Sequence, residues 1–396
     1  MRIQTNKNEV LFLTSVMLFW FAQYVYIPHQ VNFLESQLVS GSLIGLVIAG
    51  YGISQMALRI PIGFLADFYS ITKPFIMVGS LGAGLASIIR LSAPNGVGFL
   101  IANLFSGLAS ATWISFMVFY LMGASEKETI NKTSNIIMAM NLGMLTAFMF
   151  SSNLYKSVGM QGMAIAGIIA GILSCILLLA VKEFATPIHK GETTSKSCSY
   201  ILSILFNKKL LFFSFIALVQ QGIQMTTTMS YSNQIIKSIG ANDVLVGLSS
   251  VIYMSSSVFF SWLAKHRVLS NVNRNKSMVF SLVCLVVYLL LYSQVQSVPL
   301  ALVLQILPGI TTGLCFTYLN SEAMSEVDDQ RKSTAMGIFQ AIYAIGMSLF
   351  PIIASAIANH SNIRISYLYL AAFVIVSILL LLWYNSKDDQ KLLPQE

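Results

Sequence analysis

Residues Ser366 to Tyr384 read SYLYLAAFVIVSILLLLWY, a stretch without a single charge. A helix rises 1.5 Å per residue, and a hydrocarbon core about 30 Å thick asks for roughly 20 apolar residues, so this run has the length and chemistry of a membrane crossing. Comparable runs recur back to the start of the chain, at approximately 10–30, 40–65, 74–93, 96–121, 133–153, 160–181, 209–235, 244–264, 277–294, 298–320 and 334–358. Together with 366–384 they predict an all-α polytopic membrane protein with twelve transmembrane helices. The division between the ninth and tenth runs rests on Ser293, Gln294, Gln296 and Pro299.

Composition agrees. The 396 residues are 56% hydrophobic and 10% charged, where a soluble domain carries about 25% charge. A chain of this size with so few polar side chains could not cover a surface facing water. The net charge of +8 raises nucleic acid as a partner, but the cations stand singly or in pairs between apolar runs, as Lys208-Lys209 and Arg331-Lys332 do. That placement suits a protein oriented in a bilayer and argues against nucleic acid. With both termini in the cytoplasm, most of the 23 lysines and arginines fall on the cytoplasmic side, leaving Arg90, Lys156, Lys237 and Arg364 outside or near the outer ends and Arg59 within the second run. A cell membrane, the bacterial cytoplasmic membrane in particular, is the expected location. Cys175, Cys198, Cys284 and Cys315 make no close metal-ligand pair, and three of them lie in apolar runs, so neither zinc nor a disulfide framework is read and no cofactor is expected. The basic-then-apolar start lacks a small-residue cleavage site near 25 to 35 and is read as a retained helix.

Residues 183–207, rich in Ser, Thr and Lys, divide the chain at its middle. They predict a cytoplasmic linker between a first six-helix half (1–182) and a second (208–396). A faint repeat points the same way: Gly63-Phe64-Leu65-Ala66-Asp67 follows the second run, and Ser261-Trp262-Leu263-Ala264-Lys265 the eighth, half a chain later.

The segment Arg59-Ile60-Pro61-Ile62-Gly63-Phe64-Leu65-Ala66-Asp67 is similar to the loop signature of the major facilitator superfamily, a glycine with an aspartate four residues on. The basic tail of that signature is reduced here to Lys73, after Phe68-Tyr69-Ser70-Ile71-Thr72. Arg331-Lys332-Ser333-Thr334-Ala335-Met336-Gly337, with Gly346 and Pro351 beyond, resembles the family's eleventh helix. The resemblance covers residues 9–385 and leans towards the bacterial efflux branches. It implies two helical bundles that rock about a central cavity lined by helices 1, 4, 7 and 10, with 2, 5, 8 and 11 beside them. The chain departs on the fourth helix: drug–proton antiporters of the family place an arginine four residues ahead of a glycine, where this chain has Asn103 ahead of Gly107. Proton antiport is weakened as an expectation accordingly.

On the residues themselves, Gly63 permits close helix approach and Asp67 could accept bonds from a neighbouring helix N-terminus, a latch between halves or simply a solvated loop acid. Arg59, one to two turns inside the membrane, must snorkel or find a partner, and a structural or gating pair with Asp67 is expected. Binding residues must come from polar side chains that lipid would penalise. Gln220, Gln224, Thr228 and Tyr231 recur at helical spacing on the seventh run, and this stripe could line a path or tie the helix to its neighbours. Gln23, Tyr24 and Tyr26 on the first run precede Pro28, which is expected to bend it. Trp113, Asn141, Tyr253, Gln340 and Tyr343 complete the candidates. No Asp or Glu lies near the middle of a run, so a coupling proton falls to His29, with Glu35 assisting, although an interfacial hydrogen-bonding role is the more ordinary one for such a histidine.

Amide and aromatic walls suit an amphipathic, neutral or weakly cationic small molecule. The reading is a secondary active transporter, working as a monomer with proton or sodium coupling and exporting a drug-like compound or metabolite. The alternatives are an importer of a neutral nutrient, a proton-coupled sugar or metabolite permease, or a non-transporting scaffold of the same fold. There is no phosphate-binding glycine loop, metal cluster or nucleophile–histidine–acid set, and an enzyme is not expected.

Overall fold

The computed structural model describes residues 7–69, 72–121, 126–182, 184, 206–265, 274–327 and 332–392; for 63–69, 126–131, 134, 265, 332–334 and 387–392 it describes the backbone alone. Eleven helices among these are long and apolar enough to cross a bilayer. They are α1 (Lys7–Ser36), α2 (Gly41–Tyr69), α3 (Lys73–Ser92), α4 (Gly96–Leu121), α5 (Glu126–Ala180), α6 (Lys208–Ser238), α7 (Asp243–Lys265), α8 (Arg274–Ser293), α9 (Val298–Met324), α10 (Lys332–His360) and α11 (Ile363–Leu392). Their exposed side chains include Ile101, Ile169, Leu179, Phe280, Leu379 and Trp383, an oily exterior that only lipid can solvate. The protein is a multi-pass membrane protein.

The expected break between runs 133–153 and 160–181 is present. Within α5 two helical segments meet at Gly159, whose φ of 60° and ψ of −166° lie outside helical geometry. Glycine alone adopts this conformation without strain, so one residue makes the break between the expected runs. The other expected boundaries agree closely, including Ser293 and Val298 at the ninth and tenth runs. Cys175, Cys284 and Cys315 are buried thiols, while Cys198 and the 183–207 linker fall largely outside the described residues.

Short connections at 37–40, 93–95, 239–242, 294–297 and 361–362 gather at one end of the bundle, here called the hairpin end. The opposite, linker end carries the chain into and out of residues 183–207. Polar side chains collect there too: Glu322 pairs with Lys209 at 3.5 Å and Arg274 at 3.2 Å, and Glu9 accepts from Tyr120 and Asn135.

Helices α1–α5 pack on one another and α6–α11 do likewise; α2 against α10 and α5 against α7 join the two groups. Close approach is set by small residues, and it repeats. A Cβ on Gly143 (α5) would stand 2.3 Å from the Met17 carbonyl oxygen of α1, and one on Gly346 (α10) 2.0 Å from that of Leu218 on α6. Gly107 (α4) faces the Tyr51 carbonyl of α2 at 2.3 Å, and Gly309 (α9) the Tyr253 carbonyl of α7 at 2.8 Å. Each contact recurs about half a chain later, so the two groups are the same bundle built twice.

Candidate functional site

Four helices bordering the midline are interrupted, and each interruption has a local cause. Helix α1 breaks at Val25–Tyr26, just ahead of Pro28 in the first turn of the continuing segment, as the proline leads one to expect. Helix α4 tightens at Thr112, whose hydroxyl bonds back to the Ala109 carbonyl. Their counterparts in the second group carry π-helical turns at Thr227–Tyr231 of α6 and Thr311–Cys315 of α9. Runs of threonine and serine promote such turns because their hydroxyls return to backbone carbonyls; Thr226, Thr227 and Thr228 all bond four residues back, and Ser230 five. The extra residue per turn shifts the helix face. The expected single stripe of Gln220, Gln224, Thr228 and Tyr231 is therefore broken at residue 227, because the spacing argument assumed regular 3.6-residue turns.

Where α1 meets α6, the interruptions face each other. Tyr24, Tyr26, Ile27, Gln30, Tyr51 and Asn103 from the first group, with Met225, Met229 and Ser230 from the second, enclose a crevice of only about 10 Å³. That is space for roughly one water and no solute, so anything larger enters only when the groups part.

Beside the crevice each group places one polar constellation. In the first, Gln23 Nε2 donates to the Ser106 carbonyl (2.9 Å) and to Ser110 Oγ (3.2 Å), and Tyr51 and Ser110 hydroxyls meet at 2.7 Å. In the second, Gln224 Nε2 donates to the Tyr253 hydroxyl, which lies 3.1 Å from Thr312 Oγ1. Gln220 Nε2 approaches the same threonine at 3.5 Å. Glutamine, tyrosine and hydroxyl residue thus recur on α1, α2 and α4 and again on α6, α7 and α9. The amide oxygens of Gln23, Gln220 and Gln224 are buried with no protein partner. A buried acceptor without a donor costs about 1–3 kcal/mol, and a solute hydroxyl or amine would recover it.

The other candidates fall as follows. Trp113 packs edge-on to Trp20 at 5.2 Å and extends an aromatic wall through Phe116. Asn141 is half-buried on α5. Tyr231 is buried on the π turn. His29 is buried with its ring stacked 3.7 Å from that of Tyr155. Glu35 lies on the last turn of α1 and accepts from Gln234 of α6. Gln340 and Tyr343 both accept from Arg59, whose Nη1 crosses from α2 to α10 and lies 2.8 Å from the tyrosine hydroxyl. The expected Arg59–Asp67 pair lies outside the described side chains, as does any latch at Gly63 and Asp67.

Sequence reasoning placed Arg90 near the outer end of its helix; it lies in that last turn, where the structure buries it to 1% exposure. Its guanidinium sits 3.5 Å over the Tyr26 ring, and Nη2 donates to Asn103 Oδ1 and Ser106 Oγ, both at 2.8 Å. Asn103 is the hub: it also accepts from Tyr26 (3.2 Å) and donates to Gln30 (3.1 Å) and the Val47 carbonyl (2.7 Å). Desolvating a guanidinium costs several kcal/mol; a shielded cation–π contact returns about 2 kcal/mol and each charge-assisted bond about 1.5–3 kcal/mol. The cation is held, and by neutral groups. Asn103, Ser106, Ser110 and Thr312 were missed or left aside. The signal that finds them is the interval, equal to within one residue, that separates Gln23 from Gln224, Tyr51 from Tyr253 and Ser110 from Thr312.

Two bundles of like build, joined around broken helices and a polar midline, define the class of membrane solute carriers. The sequence profile of the Major Facilitator Superfamily matches residues 11–327 and 223–396, and the chain belongs to that family. It is 20% identical over 338 residues to an uncharacterised MFS-type transporter of Methanocaldococcus jannaschii, covering 84% of this chain and 86% of that one. It is likewise 20% identical over 394 residues to the proton-coupled antiporter flippase LtaA of Staphylococcus haemolyticus, covering 94% and 93%. Among solved structures, the nucleoside transporter NupG superposes with a TM-score of 0.73 at 16% identity, covering 95% of this chain and 98% of that one. A D-xylose–proton symporter gives 0.72 at 15% identity, covering 94% and 96%. At these identities the likeness is one of fold. Secondary active transport, without enzymatic chemistry, is the mechanism of the family.

Proposed function

We propose that the chain is an alternating-access carrier that takes up a small, neutral, hydrogen-bonding solute across a bacterial cytoplasmic membrane. The observation that carries this reading is the duplicated glutamine–tyrosine–hydroxyl constellation beside the closed midline crevice. Amide and hydroxyl groups recognise a polyol or a nucleoside-like ring by matched donors and acceptors, and neither constellation contains a charge that would demand an ionic solute. The nucleoside and pentose transporters of the same fold favour uptake over the export that the sequence suggested. In this reading α5 counts as two crossings bent at Gly159, making twelve, with residues 1–182 and 208–396 as the moving halves and 183–207 joining them in the cytoplasm beside both termini. Gln23, Tyr24, Tyr26, Trp113, Asn141, Gln220, Gln224, Thr228, Tyr231 and Tyr253 serve the solute. Arg59, with Gln340, Tyr343, Gly63 and Asp67, serves the gate. His29 and Glu35 carry proton coupling, and one chain is the working unit.

Export of an amphipathic compound is the second reading. It is favoured by the aromatic wall of Trp20, Trp113 and Phe116 and by the likeness to an antiporter flippase. Purified protein in liposomes, supplied with labelled nucleosides, pentoses and hexoses under separately imposed proton and sodium gradients, tests the choice. Uptake reading requires gradient-driven accumulation of at least one neutral solute. Accumulation of none of them, with counter-gradient movement of an amphipathic dye, would favour export.

A further inference from the structure

Arg90 leaves a question that solute transport does not answer. A guanidinium has five N–H donors; Nη2 spends its two on Asn103 and Ser106, while Nε and Nη1 are buried without a protein partner. The same residue lines a cleft of about 380 Å³ at the hairpin end, separate from the midline crevice and bounded by the ends of α1 and α3 with their connections and by the residues around Gly159 of α5. Phe33, Pro94, Val158 and Met160 give this cleft apolar sides, and the amide side chains Gln37 and Gln161 stand at it.

The repeat shows that the fold does not need a cation here. At the corresponding place in the second group, Gln305 takes the position of Asn103 and donates to the Tyr292 hydroxyl at 3.3 Å, and Tyr292 stands where Arg90 does. Tyr292 in turn donates to the Ser232 carbonyl at 3.0 Å, so a neutral pair fills the site. A buried positive charge kept in only one of two equivalent places, with donors to spare and a cleft above it, has the composition of an anion receptor.

We infer that the cleft above Arg90 binds a small organic anion carrying one carboxylate, one oxygen of which accepts from a free guanidinium donor, Nε or Nη1, and whose apolar tail lies against Phe33, Pro94, Val158 and Met160. One guanidinium matches one negative charge, and the cleft is far larger than a halide requires. The site is distinct from the midline crevice and does not depend on which solute is carried. It touches that crevice through Tyr26 and Asn103, which contact Arg90 on one side and line the crevice on the other.

The test uses the full-length protein in detergent, with sodium butyrate as the probe and butyramide as its uncharged equivalent, at constant ionic strength. Thermal unfolding of the wild type should rise saturably with butyrate and not with butyramide. Arg90→Gln should abolish the response. Should that variant not fold, Val158→Trp, an exposed wall position that keeps every Arg90 bond, should weaken apparent butyrate affinity at least tenfold. Equal responses to butyrate and butyramide, or an undiminished butyrate response in Val158→Trp, would overturn the inference. So would stabilisation by phosphatidylglycerol vesicles alone, which would make the cleft a lipid headgroup site. Failure of the solute screen with a positive butyrate response would refute the uptake reading and leave the anion site standing.

Discussion

Arg59 on α2 donates to the hydroxyl of Tyr343 on α10 at 2.8 Å, joining the two helical groups by a buried cation and a neutral side chain. Hydrogen bonds to charged groups contribute about 1.5–3 kcal/mol each, and 1.4 kcal/mol is tenfold in an equilibrium. Tyr343→Phe removes this bond while keeping the ring beneath the guanidinium, 5.2 Å from its centre. The variant should shift the protein about tenfold towards the state in which the linker end opens, and so away from the one in which the hairpin end opens. The rate at which a thiol reagent labels Asn359→Cys reads this; an unchanged rate would remove Arg59 from the gate.

The paired constellations should matter comparably. Gln23→Ala and Gln224→Ala each take one amide from the midline, and each should raise the half-saturating solute concentration by about tenfold while membrane insertion stays normal. A large effect of one and none of the other, in equilibrium binding to the purified protein, would show that the solute contacts a single half.

Glycine contacts set the helix spacing, and their geometry ranks the cost of filling them. Gly346→Ala drives a Cβ to 2.0 Å from a backbone oxygen that has no room to retreat, whereas at Gly337 the nearest atom is a flexible isoleucine methyl at 3.8 Å. Overpacking costs about 1–3 kcal/mol, so Gly346→Ala should lower the unfolding temperature by several degrees and Gly337→Ala should leave it unchanged. Thermal unfolding of the three proteins side by side decides it.

The apolar runs made the spans legible in advance, since burial in lipid demands about 20 apolar residues whatever the tertiary contacts are. Pro28 likewise announced the break in α1. The interruption at Gly159 falls in the gap expected between 153 and 160, but that a single glycine makes it was not legible, because apolar residues flank it on both sides. Nor were the π turns of α6 and α9, which shift the helix face without altering composition. The burial of Arg90 was not legible, because it follows from the partners that hold it, Tyr26 and Asn103, and these converge from other helices. Gln340 and Tyr343 were read as contacts for a solute, and in this state they hold Arg59. The internal repeat was sought in the Gly63 and Ser261 segments, whose interval is a few residues short of the one that superposes Gln23 on Gln224 and Ser110 on Thr312.

His29 offers a test of coupling. If its imidazole carries the proton, His29→Gln should lose accumulation driven by a pH gradient and retain exchange of labelled for unlabelled solute across the same membrane. The stacked Tyr155 ring would still cover a glutamine amide, so folding is expected to survive. Retention of pH-driven accumulation would return His29 to a packing role and move attention to Glu35.

The central claim is that solute crosses only when the hairpin end opens. There Asn359 Nδ2 of α10 donates to Ser42 Oγ of α2 at 2.6 Å, and Asn32 Nδ2 of α1 donates to the Asn233 carbonyl of α6 at 3.1 Å. The direct measurement is solute flux through liposomes bearing Ser42→Cys together with Asn359→Cys, with the native cysteines replaced and a short thiol crosslinker applied. Flux should cease on crosslinking while either single-cysteine variant, treated alike, continues to transport. Undiminished flux through protein shown to be crosslinked would contradict a hairpin end that must open.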